Sequence, residues 1–482
     1  MPQQTIKEAF DAALKEQMKM VEEKDYSNID KVMQMFNDIL NVEPENIQSL
    51  QNLAVCHLIK GNNGLAINML QRVVERIPEY DGAWANLGIA YRAEGKNKEA
   101  LQSMKKAILI NRSARNLENL GSMYVNEGIP DKGIQYLEES INLDPTESAY
   151  WNLGLLLLEQ CDRKKGFMLY EAGLICKERY NRIYPDKEGS NVPIWTGQTS
   201  IDGRRPVVVV YGEQGLGDEL MFATAMEDLL EKVDVIFDCH PRLTHLFTYA
   251  TWASKLSAIY GTRKKEFDQI DWYKRYDIDF KLPIGSLFRW FRTEDKWPRK
   301  AILEGIPPLD LSQYGPGPYI GIGWSGGTKR THELYRSVSF TDMLDQIRGK
   351  PGTFVSLNYQ QKFAKEDIEH AKSLGTLPDN FVEIDVVYEK DYQQTAKLLA
   401  ALDACILPNT SAVHLAGCMG VLCYTFTPIQ KAWRYCSRND RMVMYPSVEI
   451  VQQVHGEPMK AVMGRAIARI MSNDRQNTAQ SV

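Results

Sequence analysis

A glycine-rich stretch holds the first side chains that could do chemistry. Residues 212–218 read GEQGLGD and follow an apolar, β-branched run at 206–211, which predicts a buried strand, a turn and a helix. Gly212, Gly215 and Gly217 would let the backbone approach a ligand closely, and a helix N-terminus favours an anion. Asp218 at this turn is a candidate general base. Its alternative role is a carboxylate that stabilises the helix N-terminus through the dipole.

The same stretch departs from two known phosphate-binding patterns. Leu220 stands where GxGxxG requires its last glycine, and the GK[ST] of a P-loop is absent. Asp238 ends the next predicted strand, about where a dinucleotide-binding acid would lie. An NAD-binding interpretation therefore stays open as an alternative.

Two further polar segments follow predicted strands. Gly326 and Gly327 precede basic residues, namely Lys329, Arg330 and Arg336. A flexible basic loop at a strand end suits a diphosphate, and the alternative is a solvated surface loop. Residues 408–417 read PNTSAVHLAG.

In that second segment a strand ends at Asn409 and a helix begins. Thr410 or Ser411 can cap the helix, and exposed N–H groups there make an anion site. His414 lies within about the first turn, from which it could reach a ligand. The alternative is that His414 has a purely structural role, as a single histidine in a helix commonly does.

The elements that would position these residues alternate between strand and helix. Predicted strands of the first series lie at 206–211 and 233–238, and near 255–260 and 277–281. A second series starts at Tyr319, in YIGIGWSGG, and continues at 353–359, 381–387, 404–408 and 421–427. Such alternation indicates parallel, doubly wound sheets. A proline-rich segment around 306–317 separates two series, which predicts two Rossmann-like lobes with a ligand in the cleft between them.

The first third of the chain is a repeat array. An Asn-Leu pair recurs at spacings of 34, 33 and 33 residues, at 52, 86, 119 and 152. A glycine follows eight residues after the first three leucines, with Cys161 in the fourth copy, and a small residue comes five further on. This pattern resembles the tetratricopeptide repeat and predicts about five helix pairs over 11–178. Such an array usually binds a protein or peptide; the alternative is packing against the next domain or self-association.

Composition limits the function classes. The 482 residues are 44% hydrophobic and 25% charged, with a net charge of −5, which is typical of globular proteins and points neither to nucleic acid nor to an anionic membrane. No apolar run is long enough to span a bilayer, so we expect a cytoplasmic protein. The predicted domains are a repeat solenoid (1–178), a connector (179–205), two lobes (206–310 and 311–472) and a polar tail (473–482).

The motifs of residues 193–453 together resemble the glycosyltransferase domain of tetratricopeptide-repeat glycosyltransferases, relatives of heptosyltransferases. The resemblance rests on GEQGLGDELMFA, IGWSGG, FVSLNYQ, NTSAVHLAGCMG, Trp433-Arg434-Tyr435 and MYPS. It implies a GT-B fold, with the acceptor on the first lobe and an ADP- or UDP-sugar on the second. It further implies inverting transfer with no metal and no cofactor.

The resemblance also implies roles for individual residues. Asp218 would be the catalytic base, Arg336 would lie near the donor diphosphate, and Lys329 would assist. The donor-binding turn would contain Thr410, Ser411 and His414. The family usually has Asp where this chain has Asn409; the amide can still hydrogen-bond a sugar or ribose hydroxyl, but it carries no charge.

These expectations combine into one hypothesis with three alternatives. The hypothesis is a glycosyltransferase whose repeats recognise the acceptor or a partner, the acceptor being a protein or a glycan. The first alternative is a non-catalytic repeat scaffold with a degenerate transferase domain, which Asn409 favours. The second is another nucleotide-sugar enzyme of the same fold, such as an epimerase. A dehydrogenase is the least favoured because the glycine spacing is wrong.

Overall fold

A computed structural model describes most of the chain. The described residues are 3–23, 25–127, 129–176, 192–262, 272–294, 296–326, 336–389, 391–429 and 432–472. The chain divides into two compact units, which are Met1–Leu156 and Leu157–Val482. None of the helices in the described ranges is long and apolar enough to cross a membrane.

Antiparallel helix pairs build the first unit. The helices are α1 (Gln3–Glu23), α2 (Ile29–Val42), α3 (Ile47–Ile59), α4 (Asn63–Arg76), α5 (Asp81–Ala93), α6 (Asn97–Ile110), α7 (Ala114–Asn126), α8 (Pro130–Leu143) and α9 (Glu147–Glu159). A tenth helix, α10 (Arg163–Tyr170), lies in the second unit, although the sequence analysis placed it in the repeat domain.

Small residues and left-handed turns explain the pairing. A Cβ atom on Gly88 would lie 3.1 Å from the Ala100 carbonyl oxygen, so the two helices of that pair approach closely. Gly61 and Gly95 have φ of 76° and 73°, and Cys161 has φ of 65° at the equivalent position. Cys161 therefore makes the same turn that glycine makes in the earlier repeats, at some steric cost.

The second unit begins with α10 and a small parallel sheet. The strands are β1 (Val207–Tyr211), β2 (Asp234–Asp238), β3 (Ala258–Tyr260) and β4 (Phe280–Pro283), in the order β3-β2-β1-β4. The helices are α11 (Leu216–Ala223), α12 (Met226–Leu230) and α13 (Leu287–Phe291). The valine run of β1 is fully buried at its centre, as a central strand of a parallel sheet requires.

A larger, eight-stranded sheet follows. Its strands are β5 (Tyr319–Ile322), β6 (Thr353–Ser356), β7 (Phe381–Val382), β8 (Ala404–Pro408), β9 (Cys423–Thr427), β10 (Ser437–Arg438), β11 (Arg441–Met442) and β12 (Val448–Gln452). They run in the order β10-β11-β12-β9-β8-β5-β6-β7. All pairs from β12 to β7 are parallel, and β10–β11–β12 is antiparallel. The helices are α14 (Phe340–Ile347), α15 (Gln361–Ser373), α16 (Tyr392–Ala400), α17 (Ser411–Met419) and α18 (Met459–Met471).

Several element bounds differ from the predictions. The helix expected near 218–231 is two helices, α11 and α12, and it begins at Leu216. The strand expected at 381–387 pairs over only Phe381–Val382, at the edge of its sheet, and a 3-10 turn follows at Asp385–Tyr388. The antiparallel strands β10 and β11 have no counterpart among the predictions.

Both sheets reverse their strand order beside their first strand. In the first sheet the reversal lies between β1 and β4, and in the second between β5 and β8. Loops at the carboxyl ends of strands around such a point form the usual ligand crevice of open α/β sheets. These loops contain most of the candidate site residues.

Candidate functional site

The glycine-rich loop joins β1 to α11 and places Asp218 in the first helical turn. Gly212 N donates a hydrogen bond to the Asp238 carbonyl oxygen (3.0 Å), which ties the loop to the end of β2. Gly215 is the N-cap residue of α11, and its N–H donates to Asp218 Oδ2 (3.2 Å). The Asp218 carboxylate therefore caps its own helix, the role kept as an alternative, and its side chain is still 19% exposed.

Gly217 allows the two halves of the second unit to touch. A Cβ atom at this position would lie 3.0 Å from both Ser411 Cα and His414 Cδ2. A larger residue would force α11 and α17 apart. The first-sheet loop with Asp218 and the second-sheet turn with Ser411 and His414 are therefore brought together.

The second-sheet turn between β8 and α17 is formed by Asn409 and Thr410. Arg336 Nη1 donates to the Asn409 carbonyl oxygen (3.0 Å), and Thr425 Oγ1 donates to Asn409 Oδ1 (3.2 Å). Thr410 is the N-cap residue, but its side chain makes no capping hydrogen bond. Ser411 Oγ lies 2.9 Å from Tyr392 Oη. Neither side-chain hydroxyl caps the helix. Val413 N donates to the Thr410 carbonyl oxygen (3.2 Å), and the backbone N–H groups of Ser411 and Ala412 before it have no partner within the helix.

His414 is buried between the two helices and two tyrosines. It is 3% exposed, and its Nδ1 lies 3.3 Å from Tyr445 Oη. Burial lowers the pKa of His414 to about 4; the charge of Asp218 raises that pKa and the charge of Arg434 lowers it. The imidazole is therefore neutral at physiological pH, and this position favours the structural role over direct ligand contact.

Arg434 is a further candidate residue, which the sequence analysis named only within the motif Trp433-Arg434-Tyr435 and gave no role. It lies in the 3-10 turn Trp433–Tyr435, after β9, and its Nε donates a charged hydrogen bond to Asp218 Oδ1. The available signal was an arginine between two aromatic residues just beyond a strand end. The ion pair joins the first-sheet helix α11 to the second-sheet half of the unit.

Glu213 is a second residue that sequence reasoning missed. It is 4% exposed, and its Oε1 accepts hydrogen bonds from Gln214 Nε2 (2.9 Å) and Gly285 N (3.2 Å). Gln214 Oε1 in turn accepts from Tyr170 Oη (2.7 Å). Burial raises the pKa of Glu213 to about 7, and the charge of Asp218 adds to the rise.

Hydrogen bonds from Tyr170 to Gln214 and from Gln214 to Glu213 connect α10 to the glycine-rich loop. Around it, Tyr170 and Phe222 contact the Trp433 ring at centroid distances of 5.8 and 6.2 Å. Phe167 contacts the same ring at 5.6 Å. The helix α10 therefore packs against both the loop that holds Asp218 and the turn that holds Arg434.

We expect Glu213→Gln to stabilise the protein at alkaline pH. The pKa of Glu213 is higher in the folded state than the ordinary value of 4.5, so the stability that its protonated form contributes is complete below pH 4.5 and is lost as pH rises through about 7. Glutamine mimics the neutral acid and cannot ionise. Its advantage should reach about 3 kcal/mol at pH 8 and be small at pH 4.5.

Urea unfolding of the second unit at the two pH values measures this difference. Glu231→Gln, at an exposed position, is the matched control and should show no such pH dependence. Equal effects of Glu213→Gln at both pH values would contradict the buried, proton-binding assignment of Glu213.

Other candidate residues lie apart from this centre or outside the described chain. Lys329 lies outside the described residues. Asp238 is fully buried, and its Oδ1 accepts from Thr262 N (2.8 Å), so it does not present a free carboxylate to a ribose. Within the described ranges, no group of three or more His, Cys, Asp or Glu side chains is placed to hold a metal ion.

A cavity of about 570 Å³ lies elsewhere in the second unit. Its walls include Trp252, Arg292 and Trp297. None of its lining residues belongs to the loops that hold Asp218, Asn409 or Arg434. Charged residues such as Asp228 and Arg292 also line this cavity. The loops at the two strand-order reversals meet elsewhere, around Gly217 and Ser411, and we assign the candidate site there.

Comparisons with known proteins concern mainly the repeats. The tetratricopeptide repeat model matches residues 81–113 and 114–147, which confirms the repeats. Protein FlbA of Caulobacter vibrioides is 28% identical over 250 residues, 48% of this chain and 41% of that protein. The chain thus spans less than half the length of that curated relative.

Solved structures are also similar to about a third of the chain. A thermophilic TPR protein of Thermus thermophilus is 23% identical, with a TM-score of 0.32, and the match covers 35% of this chain and 92% of that one. MamA from Desulfovibrio magneticus is 15% identical, with a TM-score of 0.29 and coverages of 34% and 90%. At these TM-scores the likenesses add no argument to the repeat assignment.

Proposed function

We propose that residues 206–472 form a GT-B glycosyltransferase, which moves a sugar from a nucleotide-sugar donor to an acceptor with inversion and without a metal. The observation that supports this most concerns the loops at the two strand-order reversals. These loops meet, and one carboxylate and two arginines lie there. Asp218 comes from the first sheet, and Arg336 and Arg434 come from the second half of the unit. A base facing cationic groups across a crevice suits displacement of an anionic leaving group.

In the proposed reaction, Asp218 removes the proton from an acceptor nucleophile. The nucleophile's electron pair forms the new bond to the anomeric carbon, while the bond from that carbon to the diphosphate oxygen breaks. The leaving nucleoside diphosphate takes the electron pair of the broken bond. A single displacement of this kind inverts the anomeric configuration. The Gly215 N–H donates a hydrogen bond to Asp218 Oδ2. The other carboxylate oxygen, Oδ1, would receive the proton, and in this structure it is paired with Arg434.

The donor diphosphate would lie at the N-terminus of α17. The turn at Asn409 and Thr410 begins this nine-residue helix, whose N-terminal dipole favours negative charge. Arg336 is anchored beside it through the Asn409 carbonyl oxygen, and Lys329 remains the proposed second basic group. Developing charge on the leaving diphosphate would be stabilised by these groups, in the manner that the family resemblance implies.

The repeats are typical of protein-binding arrays, and we propose that they recognise the acceptor or a partner. A cavity of about 290 Å³ opens between α4, α5 and α6. The Lys106 ammonium in its wall lies 4.1 Å from the centroid of the Trp84 ring, and Gln71 Nε2 donates to Tyr91 Oη (2.9 Å). These mixed aromatic and polar walls suit a peptide side chain.

Thermal stabilisation by ADP-, UDP-, GDP- and dTDP-sugars, with NAD as a control, tests the proposed donor site. A ligand at 100 times its Kd should stabilise the protein by about 2.7 kcal/mol. A shift with one nucleotide class supports the transferase. No shift with any sugar nucleotide would favour the non-catalytic scaffold, and a shift with NAD alone would overturn both.

Arg336→Ala should raise the donor Kd by about 10- to 100-fold, because a hydrogen bond to a charged group contributes about 1.5–3 kcal/mol. Arg348→Ala is the matched control: that guanidinium donates to the Thr376 carbonyl oxygen on an exposed surface. The two variants are compared by calorimetric titration with the stabilising donor. Equal Kd values for the two would remove Arg336 from the donor site.

A further inference from the structure

Arg434 has an unusual set of partners for a guanidinium at the centre of a crevice. Its Nε donates to Asp218 Oδ1, and its Nη groups donate to no side chain or backbone oxygen in the described part of the chain. The Arg434 side chain is 23% exposed. The planar guanidinium of Arg434 therefore has N–H donors that face solvent beside the proposed base.

Aromatic packing fixes this guanidinium in place. Its carbon lies 5.3 Å from the centroid of the Trp433 ring, and that ring is buried against Phe167, Tyr170 and Phe222. Such packing keeps Arg434 near the crevice centre whether or not Asp218 holds it.

The charges of Arg336 and Arg434 both act on the Tyr435 side chain. The Tyr435 phenol is buried, which raises its pKa; the charges of Arg336 and Arg434 lower that pKa and the charge of Asp218 raises it. All three charged groups thus act on one phenol. A diphosphate that binds both arginines carries more negative charge than the single carboxylate of Asp218.

The ion pair also conflicts with the proposed reaction. The carboxylate oxygen that must receive the acceptor's proton, Asp218 Oδ1, is the one that Arg434 occupies. We propose that Arg434 is a ligand of the donor diphosphate, which pairs with Asp218 when no donor is bound and releases that base only when the diphosphate arrives. This inference rests on the proposed glycosyltransferase function. It makes donor binding precede proton removal.

Calorimetric titration with UDP, ADP, GDP and dTDP tests the exchange without an acceptor. Asp218→Asn should tighten binding of the preferred nucleoside diphosphate by about 3- to 30-fold, because the carboxylate that competes for Arg434 is gone. Arg434→Gln should weaken that binding by about 10- to 100-fold, and Arg434→Lys by less. Melting temperatures of all variants show whether each is folded.

The double variant separates this exchange from simple charge repulsion. In an Arg434→Gln background, Asp218→Asn should leave the Kd unchanged. A gain that persists there would mean that Asp218 merely repels the diphosphate, and it would overturn the inference, as would unchanged or weaker binding by Asp218→Asn alone. If no nucleoside diphosphate binds the wild-type protein, the proposed function fails as well; binding by the wild type with no effect of Asp218→Asn overturns the exchange alone.

Discussion

Asp218→Asn should lower the rate of nucleoside diphosphate release from the donor by about 10²- to 10⁴-fold, the usual contribution of a general base. The amide keeps the size of the side chain, and its oxygen can still accept from the Gly215 N–H, but it cannot take the proton. The assay measures release of the nucleoside diphosphate, with water as the acceptor. Cleavage of the bond at the anomeric carbon can be followed in this way without the natural acceptor. The expected combination is tighter diphosphate binding with little turnover.

The control for this substitution lies at the amino ends of the first-sheet strands, whereas Asp218 follows their carboxyl ends. Asp234 begins β2, and its carboxylate pairs with Arg205 on the surface (2.9 Å). Asp234→Asn removes a carboxylate in the same way but should leave turnover within about twofold, because exposed ion pairs contribute little. Full turnover by Asp218→Asn would remove Asp218 as the base.

Gly417→Ala should lower the free energy of unfolding by about 1–3 kcal/mol, the usual cost of overpacking a core. A Cβ atom on Gly417 would lie 2.3 Å from Tyr445 Cγ, and Tyr445 is 2% exposed. Neither the helix backbone nor the ring has space to move. Displacing α17 would also move its N-terminus, so donor binding should weaken together with stability.

Gly464→Ala is the matched control for this change. Gly464 is also inside a helix, α18, but an added Cβ would meet only the end of the Gln346 side chain, with Oε1 at 2.5 Å. That flexible group can rotate away, and alanine favours the helix by up to about 1 kcal/mol. Urea unfolding should show a loss for Gly417→Ala alone; equal stability of the two variants would contradict the tight seating of α17 on Tyr445.

The sequence predicts features that depend on local pattern. The repeats are visible because the turns within recurring helix pairs need a residue that tolerates positive φ, and Gly61 and Gly95 supply it in two of them. The alternation of strands and helices likewise follows from apolar runs and glycine turns. Asp218 could be identified because it lies next to its own glycine-rich loop.

Contacts between distant segments could not be predicted in this way. Arg434 and Asp218 are 216 residues apart, and nothing in either segment specifies that they meet. The buried carboxyl of Glu213 depends on Gly285, 72 residues away, and on Tyr170 in a helix that the repeat pattern assigned to another domain. Burial of His414 between α11 and α17 is similarly a property of packing, whereas the sequence shows only its place near a helix start.

The most direct test of the account is NMR observation of the sugar nucleotides incubated with the wild-type protein and EDTA. The account predicts that one donor is converted to its nucleoside diphosphate and to a sugar product that first appears with inverted anomeric configuration. Donors that all remain intact with an equimolar amount of folded protein would contradict the proposed transfer. A first product of retained configuration would contradict the single displacement assigned to Asp218.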